Sequence, residues 1–173
     1  MALLEIIKYP DKFLKHTATP VAKINDDIQQ LIEDMAETMY EEPGMGLAAT
    51  QVGRDERLFV YNISEDMEKR EYDVLINPEI ISHEGVKVIE KEGCLSVPDY
   101  KANVKRFASV TVSGLNRKGE PVSLEGQDIL AAVFQHEIDH LNGILFIDHI
   151  SALKRDIYKR RIKKQLRKKA KKK

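Results

Sequence analysis

The chain has 173 residues, of which 42% are hydrophobic, and this is the size and composition of a single globular domain with an ordinary core. No apolar run approaches the roughly 18 residues that suggest a membrane span. The opening stretch carries Glu5 and Lys8 among its apolar residues, so we expect mature structure there and not a signal peptide. The single cysteine, Cys94, excludes an internal disulfide and is typical of a protein from a reducing compartment.

A formal net charge of zero hides a strong separation of charge along the chain. From Lys154 to Lys173 there are 13 basic residues and one acidic residue, so this segment carries a charge of +12. The first 153 residues hold the remaining 15 basic and 27 acidic groups and carry −12. A terminal charge run is usually solvated and partly disordered, but the same composition would also bind the phosphates of RNA.

The chain up to residue 126 is predicted to form a helix followed by strands. Asn25 and Asp26 are candidate N-caps of a helix whose apolar residues follow helical spacing and which ends near Pro43. Segments rich in β-branched residues and bounded by turn formers are predicted strands. They are LFVYN (58–62), YDVLI (72–76), EIISHEGVKVI (79–89), VKRFASVTVSGL (104–115) and, after a hairpin turn at 116–119, EPVSLEG.

Two further helices are predicted after the strands. Residues 127–141 have the composition of a buried helix, and Gly143 is a natural C-terminal stop. Ser151 is a candidate cap for a final helix from Ala152 to about Leu166, with one apolar stripe made of Leu153, Ile157, Tyr158, Ile162 and Leu166. This order predicts an α+β fold with antiparallel β-sheets around the central helix, which carries His136 and His140. We divide it into a main domain, 1–150, and a basic C-terminal helix and tail, 151–173.

The central helix contains the H-E-x-x-H pattern as His136, Glu137 and His140. Residues four apart share one face of a helix, so both imidazoles could bind one metal ion. A catalytic zinc-type centre needs three protein ligands and one open position for water. The alternative is that both histidines are satisfied by hydrogen bonds and bind no metal.

Known zinc-protease patterns do not supply a third ligand downstream. A third histidine would fall at Phe146, and no glutamate follows Glu137. The other downstream candidates, at spacings that match no pattern we recognise, are Asp148, His149 and Asp156.

Upstream, the segment EGCLSVP (92–98) offers Cys94, which lies 42 residues before His136. A thiolate there would complete a Cys/His/His site, which binds borderline or soft divalent metals and leaves a position for water. The alternative for a lone cysteine is a small buried hydrophobic residue.

The glycine-rich segment GMGLAATQVG (44–53) is not a phosphate-binding loop, because it lacks both the Gly-Lys-Ser/Thr ending and the G-x-G-x-x-G spacing. It is either a tight turn with small packing residues or a strip of exposed backbone. In the second case Gln51 could donate a hydrogen bond to an oxyanion.

These three segments, with QHEIDHLNG (135–143) as the third, resemble in order and spacing the signature segments of the peptide deformylase family. The resemblance also includes the opening LLEIIKYPD, and only the tail beyond about residue 155 rests on composition. It implies a metal-dependent hydrolase that removes the formyl group from the N-terminal formyl-methionine of newly made bacterial proteins and releases formate. It also implies a cytoplasmic location.

The resemblance assigns a role to each of the candidate residues. The implied metal ligands are Cys94, His136 and His140. The metal would be one divalent ion, Fe(II) in the first place, with zinc, nickel or cobalt as substitutes. Glu137 would act as general acid/base on metal-bound water. Gln51 and the backbone N–H of Leu95 would stabilise the oxyanion, and Gly46 would hold the peptide as an added strand.

Spacing on the helix predicts the pocket for the methionine side chain. Ile129, Ala132 and Val133 lie seven, four and three residues before His136, so they share or adjoin its face, and Met45 would lie nearby. Ile129 could equally be a core residue. Two positions depart from the family, since Lys101 and His149 stand where its members often have arginine. These departures put in doubt how the substrate backbone or the surroundings of the metal ligands are held.

The partners implied are formyl-methionyl nascent peptides and the ribosome, which the basic C-terminal helix would contact, while the protein itself would be a monomer without a membrane anchor. Two alternatives stay open at this point. A zinc endopeptidase is disfavoured by Phe146 and by the missing downstream glutamate. A non-catalytic RNA-binding protein with a structural metal explains the tail, but it would need a fourth protein ligand that is not evident.

Overall fold

The protein is described by a computed structural model that covers residues 2–64, 66 and 68–172. The described residues form three α-helices and seven β-strands. In chain order these are α1 (Asp26–Glu41), β1 (Gly46–Ala48), β2 (Leu58–Asn62), β3 (Tyr72–Glu84), β4 (Lys87–Cys94), β5 (Val97–Arg106), β6 (Ser109–Leu115), β7 (Pro121–Gln127), α2 (Asp128–Leu141) and α3 (Ala152–Ala170). None of these helices is long and apolar enough to cross a membrane.

The strands form two antiparallel sheets. The larger sheet has the order β1-β2-β3-β6-β7, and the smaller one pairs β4 with β5. The predicted α+β fold with antiparallel sheets is therefore confirmed. The predicted division of the chain at residue 150 stays a prediction.

Helices α1 and α2 cover opposite faces of the larger sheet. Along β2, Leu58 and Val60 pack in the core beneath α1, whereas Phe59 and Tyr61 pack in the core beneath α2. Successive strand residues point to opposite faces, so a strand covered on both sides has to be apolar throughout. This explains why the β2 sequence, LFVYN, shows no alternation of polar and apolar residues.

Helix α1 begins where the sequence predicts. The side chain of Asn25 accepts a hydrogen bond from the Ile28 backbone N–H, which satisfies one of the donors left free at a helix start. The predicted apolar stripe is buried, namely Ile28, Leu31, Ile32, Met35 and Met39.

Two predicted strands are wrong because the chain changes sheet inside each of them. The segment 79–89 is divided at Gly85, which has a left-handed φ of 63°, between β3 in the larger sheet and β4 in the smaller one. The segment 104–115 is divided at Phe107 and Ala108, between β5 and β6. Strand β5 begins at Val97, which is earlier than predicted. The prediction missed the start of this strand because few of its first residues are β-branched.

Helix α3 continues beyond its predicted end near Leu166, and Ser151 caps it by accepting a hydrogen bond from the Lys154 N–H. Only the middle of the predicted apolar stripe is buried. Tyr158 and Ile162 pack in a third core with residues of β5 and of a short 3-10 helix, Phe146–His149. The remaining members are exposed, with Leu153 at 71%, Ile157 at 58% and Leu166 at 45%.

Gly143 ends α2 as predicted, and the structure shows that its position is also sterically closed. Its φ is 73°, and a Cβ built on it would lie 2.4 Å from the backbone oxygen of Lys15. Gly119 also has a positive φ, 81°, but there the nearest atom to a Cβ is a side-chain carbon of Ile24 at 3.5 Å.

We therefore expect Gly143→Ala to lower the free energy of unfolding by more than about 2 kcal/mol, because it adds a backbone clash to the strain of a left-handed residue. Gly119→Ala carries the strain alone, so it should cost only about 1 kcal/mol. Urea unfolding followed by circular dichroism measures both values. Equal losses in the two variants would contradict the close approach of Lys15 to Gly143.

Candidate metal centre

Helix α2 lies between the two sheets and carries a different type of side chain on each side. Ala131, Phe134 and Ile138 pack in the core of the larger sheet. His136 and His140, on another face of the helix, meet Cys94 at the end of β4. The helical period of 3.6 residues separates these two sets, so one helix serves as core element and as ligand carrier.

The three predicted ligands come together. One donor atom from each of Cys94, His136 and His140 lies within 4.8 Å of the other two, and the sulfur of Cys94 is 3.1 Å from Nε2 of His140. Donors that share one tetrahedral metal at 2.0–2.3 Å lie roughly 3.5 Å apart, so the group has the spacing that such an ion requires. One sulfur and two imidazole nitrogens suit a borderline divalent metal.

Two N–H groups point to the sulfur of Cys94. The Ser96 backbone N–H points to the sulfur at 3.4 Å, and Nε2 of Gln51 does so at 3.6 Å. The Gln51 amide is itself held, because its oxygen accepts from the Ala48 N–H at 3.0 Å and Nε2 also donates to the Ser96 hydroxyl at 3.2 Å. The side-chain N–H₂ of Gln51 therefore faces the centre.

A buried ion pair holds His136 from behind. Nδ1 of His136 lies 2.7 Å from a carboxylate oxygen of Glu92, and Arg106 binds the same carboxylate through two hydrogen bonds of 2.6 and 3.2 Å. Burial opposes ionisation of Glu92, but the hydrogen bonds from His136 and Arg106 lower its pKa to about 2. Because Nδ1 is engaged, Nε2 is the nitrogen of His136 that remains for a metal.

The network continues to the surface. Arg106 donates to Asp139 at 2.6 Å, and Nε2 of His149 lies 2.8 Å from the same carboxylate oxygen. His149, which departs from the family pattern, thus interacts with the surroundings of the ligands and not with the ligands themselves.

Sequence analysis missed three members of this network. Glu92 and Asp139 lie inside the signature segments 92–98 and 135–143, so their positions could have identified them from the sequence. For Arg106 the sequence contains no comparable signal.

The pKa values of the two histidines are shifted in opposite directions. Burial lowers the pKa of His140 well below its ordinary value, and so favours the neutral imidazole that binds metals. Burial also acts to lower the pKa of His136, but the hydrogen bonds of His136 to Cys94 and Glu92 raise this pKa well above its ordinary value. Metal ions bind the deprotonated forms of cysteine and histidine, so a cation bound here would compete with protons for these side chains.

Glu137 is 4% exposed and packs against Gly46 of β1. A Cβ built on Gly46 would lie 2.6 Å from Oε1 of Glu137, so only glycine leaves room for this carboxylate. Burial raises the pKa of Glu137 to about 7. Among the side chains that the structure describes, Oε2 of Glu137 and Nδ1 of His140 are buried without a hydrogen-bond partner.

A cleft of about 920 Å³ opens onto this centre. It brings together the predicted substrate and catalytic residues, namely Met45, Gly46, Gln51, Leu95, Ile129, Ala132, Val133 and Glu137, with Cys94 and His136 at its base. Ile129 is 54% exposed, so the alternative that it is a core residue is wrong. Lys101 also lines the cleft, and its aliphatic chain lies 3.4 Å from the Cβ position of Gly93.

Comparison with known proteins identifies the family. Residues 3–156 match the model of the polypeptide deformylase family. The peptide deformylase of Desulfosudis oleivorans is 48% identical over 167 residues, which cover 96% of each chain. The crystal structure of a peptide deformylase from Legionella pneumophila superposes with a TM-score of 0.89 at 45% identity and covers 98% of each chain.

A peptide deformylase from Acinetobacter baumannii, solved with Met-Ala-Ser bound, superposes with a TM-score of 0.80 at 35% identity over 86% of this chain and 99% of its own. Both the sequence and the fold therefore agree over nearly the full length. This chain belongs to the polypeptide deformylase family.

Proposed function

We propose that this chain removes the formyl group from formyl-methionyl nascent peptides and releases formate, with Cys94, His136 and His140 as the ligands of a catalytic metal. One observation carries the proposal: the three donor atoms converge at the base of a peptide-sized cleft, beside the buried carboxylate of Glu137. The comparisons support neither an endopeptidase nor an RNA-binding protein with a structural metal.

Different residues around the centre act in different steps of hydrolysis. A divalent metal held by Cys94, His136 and His140 would lower the pKa of water toward about 7 and so would supply a nucleophile at neutral pH. Oε2 of Glu137 accepts the proton as the water oxygen attacks the formyl carbon. As the carbon–nitrogen bond breaks, Glu137 delivers this proton to the leaving amine.

Gln51 and Leu95 stabilise the negative charge that develops on the formyl oxygen. The Gln51 N–H₂ is already turned toward the centre by its bonds to Ala48 and Ser96. Leu95 follows the ligand Cys94 and lines the cleft, and its backbone N–H is the second donor. Donors fixed in advance need no reorganisation during the reaction, and the loss of one typically costs about 3–4 kcal/mol of barrier stabilisation.

Gly46 holds the peptide backbone at the open edge of β1. Among the described residues, β1 is the outermost strand of the larger sheet and pairs with β2 alone. The carbonyl of Met45 accepts from the Asn62 N–H on the β2 side. Because hydrogen bonding alternates along an antiparallel strand, the N–H and C=O of Gly46 point to the cleft, where a substrate can add as a strand.

Four side chains form the pocket for the methionine side chain. Ile129, Ala132 and Val133 of α2 and Met45 before β1 give the cleft an apolar wall next to His136. The Acinetobacter baumannii relative was solved with Met-Ala-Ser bound, which supports a peptide that begins with methionine as the ligand.

Replacing Glu137 by glutamine keeps the shape of the side chain but removes its ability to accept a proton. We expect kcat for formate release from formyl-Met-Ala to fall by about 10²–10⁴-fold in Glu137→Gln, with the bound metal unchanged. Glu125→Gln removes an exposed carboxylate from β7 and should keep the full rate. A Glu137→Gln variant that binds metal and retains its kcat would contradict the proposed role.

Fe(II) is the metal that we propose, because the resemblance to the family implies it. The anionic sulfur ligand supplies more electron density than a third imidazole, so the metal preference should differ from that of a three-histidine site. Protein stripped by a chelator should release no formate. Reloading it without oxygen should restore the rate, with Fe(II) giving a higher kcat/KM than zinc, nickel or cobalt. Metal content is measured alongside, and Cys94→Ala should hold less than one ion per chain. Full activity in the stripped protein, or a faster zinc form, would overturn this assignment.

Ribosome docking through α3 is the partner that we propose. The helix is strongly basic, and RNA binding rewards lysine and arginine that pair with phosphates. A truncation after Ala152 should abolish docking, but it would also uncover the core that Tyr158 and Ile162 complete. A monomeric state and a cytoplasmic location stay predictions.

A sharper test neutralises exposed charges and leaves that core intact. Changing Lys159, Lys163, Lys164 and Lys168 to glutamine should weaken ribosome sedimentation at least about tenfold at low salt and reduce its salt dependence. The same four positions changed to arginine keep the charge and should keep the binding. Equal binding by the glutamine and arginine variants would refute docking by charge.

A further inference from the structure

The outer wall of the cleft is an irregular segment of β5, residues 98–101, which we call the rim segment. Cys94 pairs with Val97, and Glu92 pairs with Ala102. Between these two pairs β4 contributes only Gly93, whereas β5 contributes the four residues of the rim segment, all of which line the cleft. The regular ladder between the two strands is therefore interrupted here.

Two backbone carbonyls of the rim segment accept hydrogen bonds from outside the small sheet. Asp99 has a left-handed φ of 57°, which is uncommon for a residue other than glycine. Backbone carbonyls that leave a ladder have to find other donors when they are covered. In this protein the donors come from α3: the Tyr158 hydroxyl donates to the carbonyl of Pro98 at 3.3 Å, and Arg161 donates to that of Asp99 at 2.7 Å.

Aromatic contacts fix the same two side chains against the rim segment. Tyr158 is 1% exposed, and its ring centroid lies 4.8 Å from that of Tyr100. The Arg161 guanidinium lies 5.3 Å from the Tyr158 ring and 5.9 Å from the Tyr100 ring, within the range of cation–π attraction. Tyr100 in turn lines the cleft, so one continuous set of contacts joins α3 to the cleft wall.

We propose that Tyr158 and Arg161 are positioning residues for substrate binding: they hold the rim segment in the shape that receives the part of a nascent peptide beyond its formyl-methionine. This rests on the proposed deformylase activity. The basic helix then supports one wall of the substrate cleft in addition to any docking role. Neither side chain lines the cleft itself, so their effect is transmitted through Pro98, Asp99 and Tyr100.

Peptides of two lengths test the proposal in the metal-loaded full chain. Formyl-Met-Ala ends near the centre, whereas formyl-Met-Ala-Ser-Ala-Ala is long enough to reach the rim segment. In Tyr158→Phe and in Arg161→Gln we expect KM for the longer peptide to rise about threefold to tenfold, as for the loss of one hydrogen bond, with kcat unchanged. KM for formyl-Met-Ala should not change.

The control is Arg160→Gln, which removes the same charge from an exposed neighbouring position on α3 and should change neither constant. Tyr158→Phe keeps the aromatic packing, so it remains informative if Arg161→Gln fails to fold. An unchanged KM for the longer peptide, or an equal loss on both peptides together with a lower melting temperature, would overturn the proposal. If the unmodified chain released no formate at all, the proposed function would fail instead.

Discussion

The whole arrangement depends on the two-sided burial of α2. The helix has to complete the apolar core of the larger sheet and, on another face, bring two imidazoles to the end of β4. Phe134 and Ile138 pack in the core, whereas His136 and His140 reach the end of β4. With 3.6 residues per turn, the two pairs lie on different faces of the helix. Since α2 is fixed by core packing, the two imidazoles inherit the rigidity of the core.

Buried charge near the centre is tolerated because it is paired. The side chains of Arg106 and Glu92 are 3% and 8% exposed, which would be costly for isolated ions. Two hydrogen bonds join them, and the remaining contacts go to His136 and Asp139. Buried ion pairs of this type add little net stability, so the benefit of this one lies in fixing the orientation of His136. The same pair connects the smaller sheet to α2.

The cleft lies where three separately packed parts meet: the open edge of β1, the hairpin of β4 and β5, and the face of α2 that carries Val133 and His136. Gly46 shows how closely they approach, because its missing side chain gives Glu137 its place and leaves the strand edge accessible. The hairpin is held on its other side by the core around Tyr158 and Ile162. Both walls of the cleft are therefore supported from behind, which suits a site that has to bind peptides in one register.

The sequence by itself determined the features that depend on neighbouring residues. The cap at Asn25, the periodicity of α1 and α2, the stop at Gly143 and the spacing of His136 and His140 are local, and all of them appear in the structure. A single cysteine left little choice for a sulfur donor near these histidines. Only the tertiary structure decided which sheet each strand joins, because local periodicity is the same in either sheet.

Tertiary structure alone also decided the network around His136. Glu92 lies 14 residues from Arg106 and 44 from His136 along the chain, and charged residues carry no periodic signal that would connect them. Tertiary structure also decided which apolar residues of α3 are buried. Its apolar stripe is continuous in the sequence, but only Tyr158 and Ile162 find a surface to pack against, since the hairpin and the short 3-10 helix extend no further.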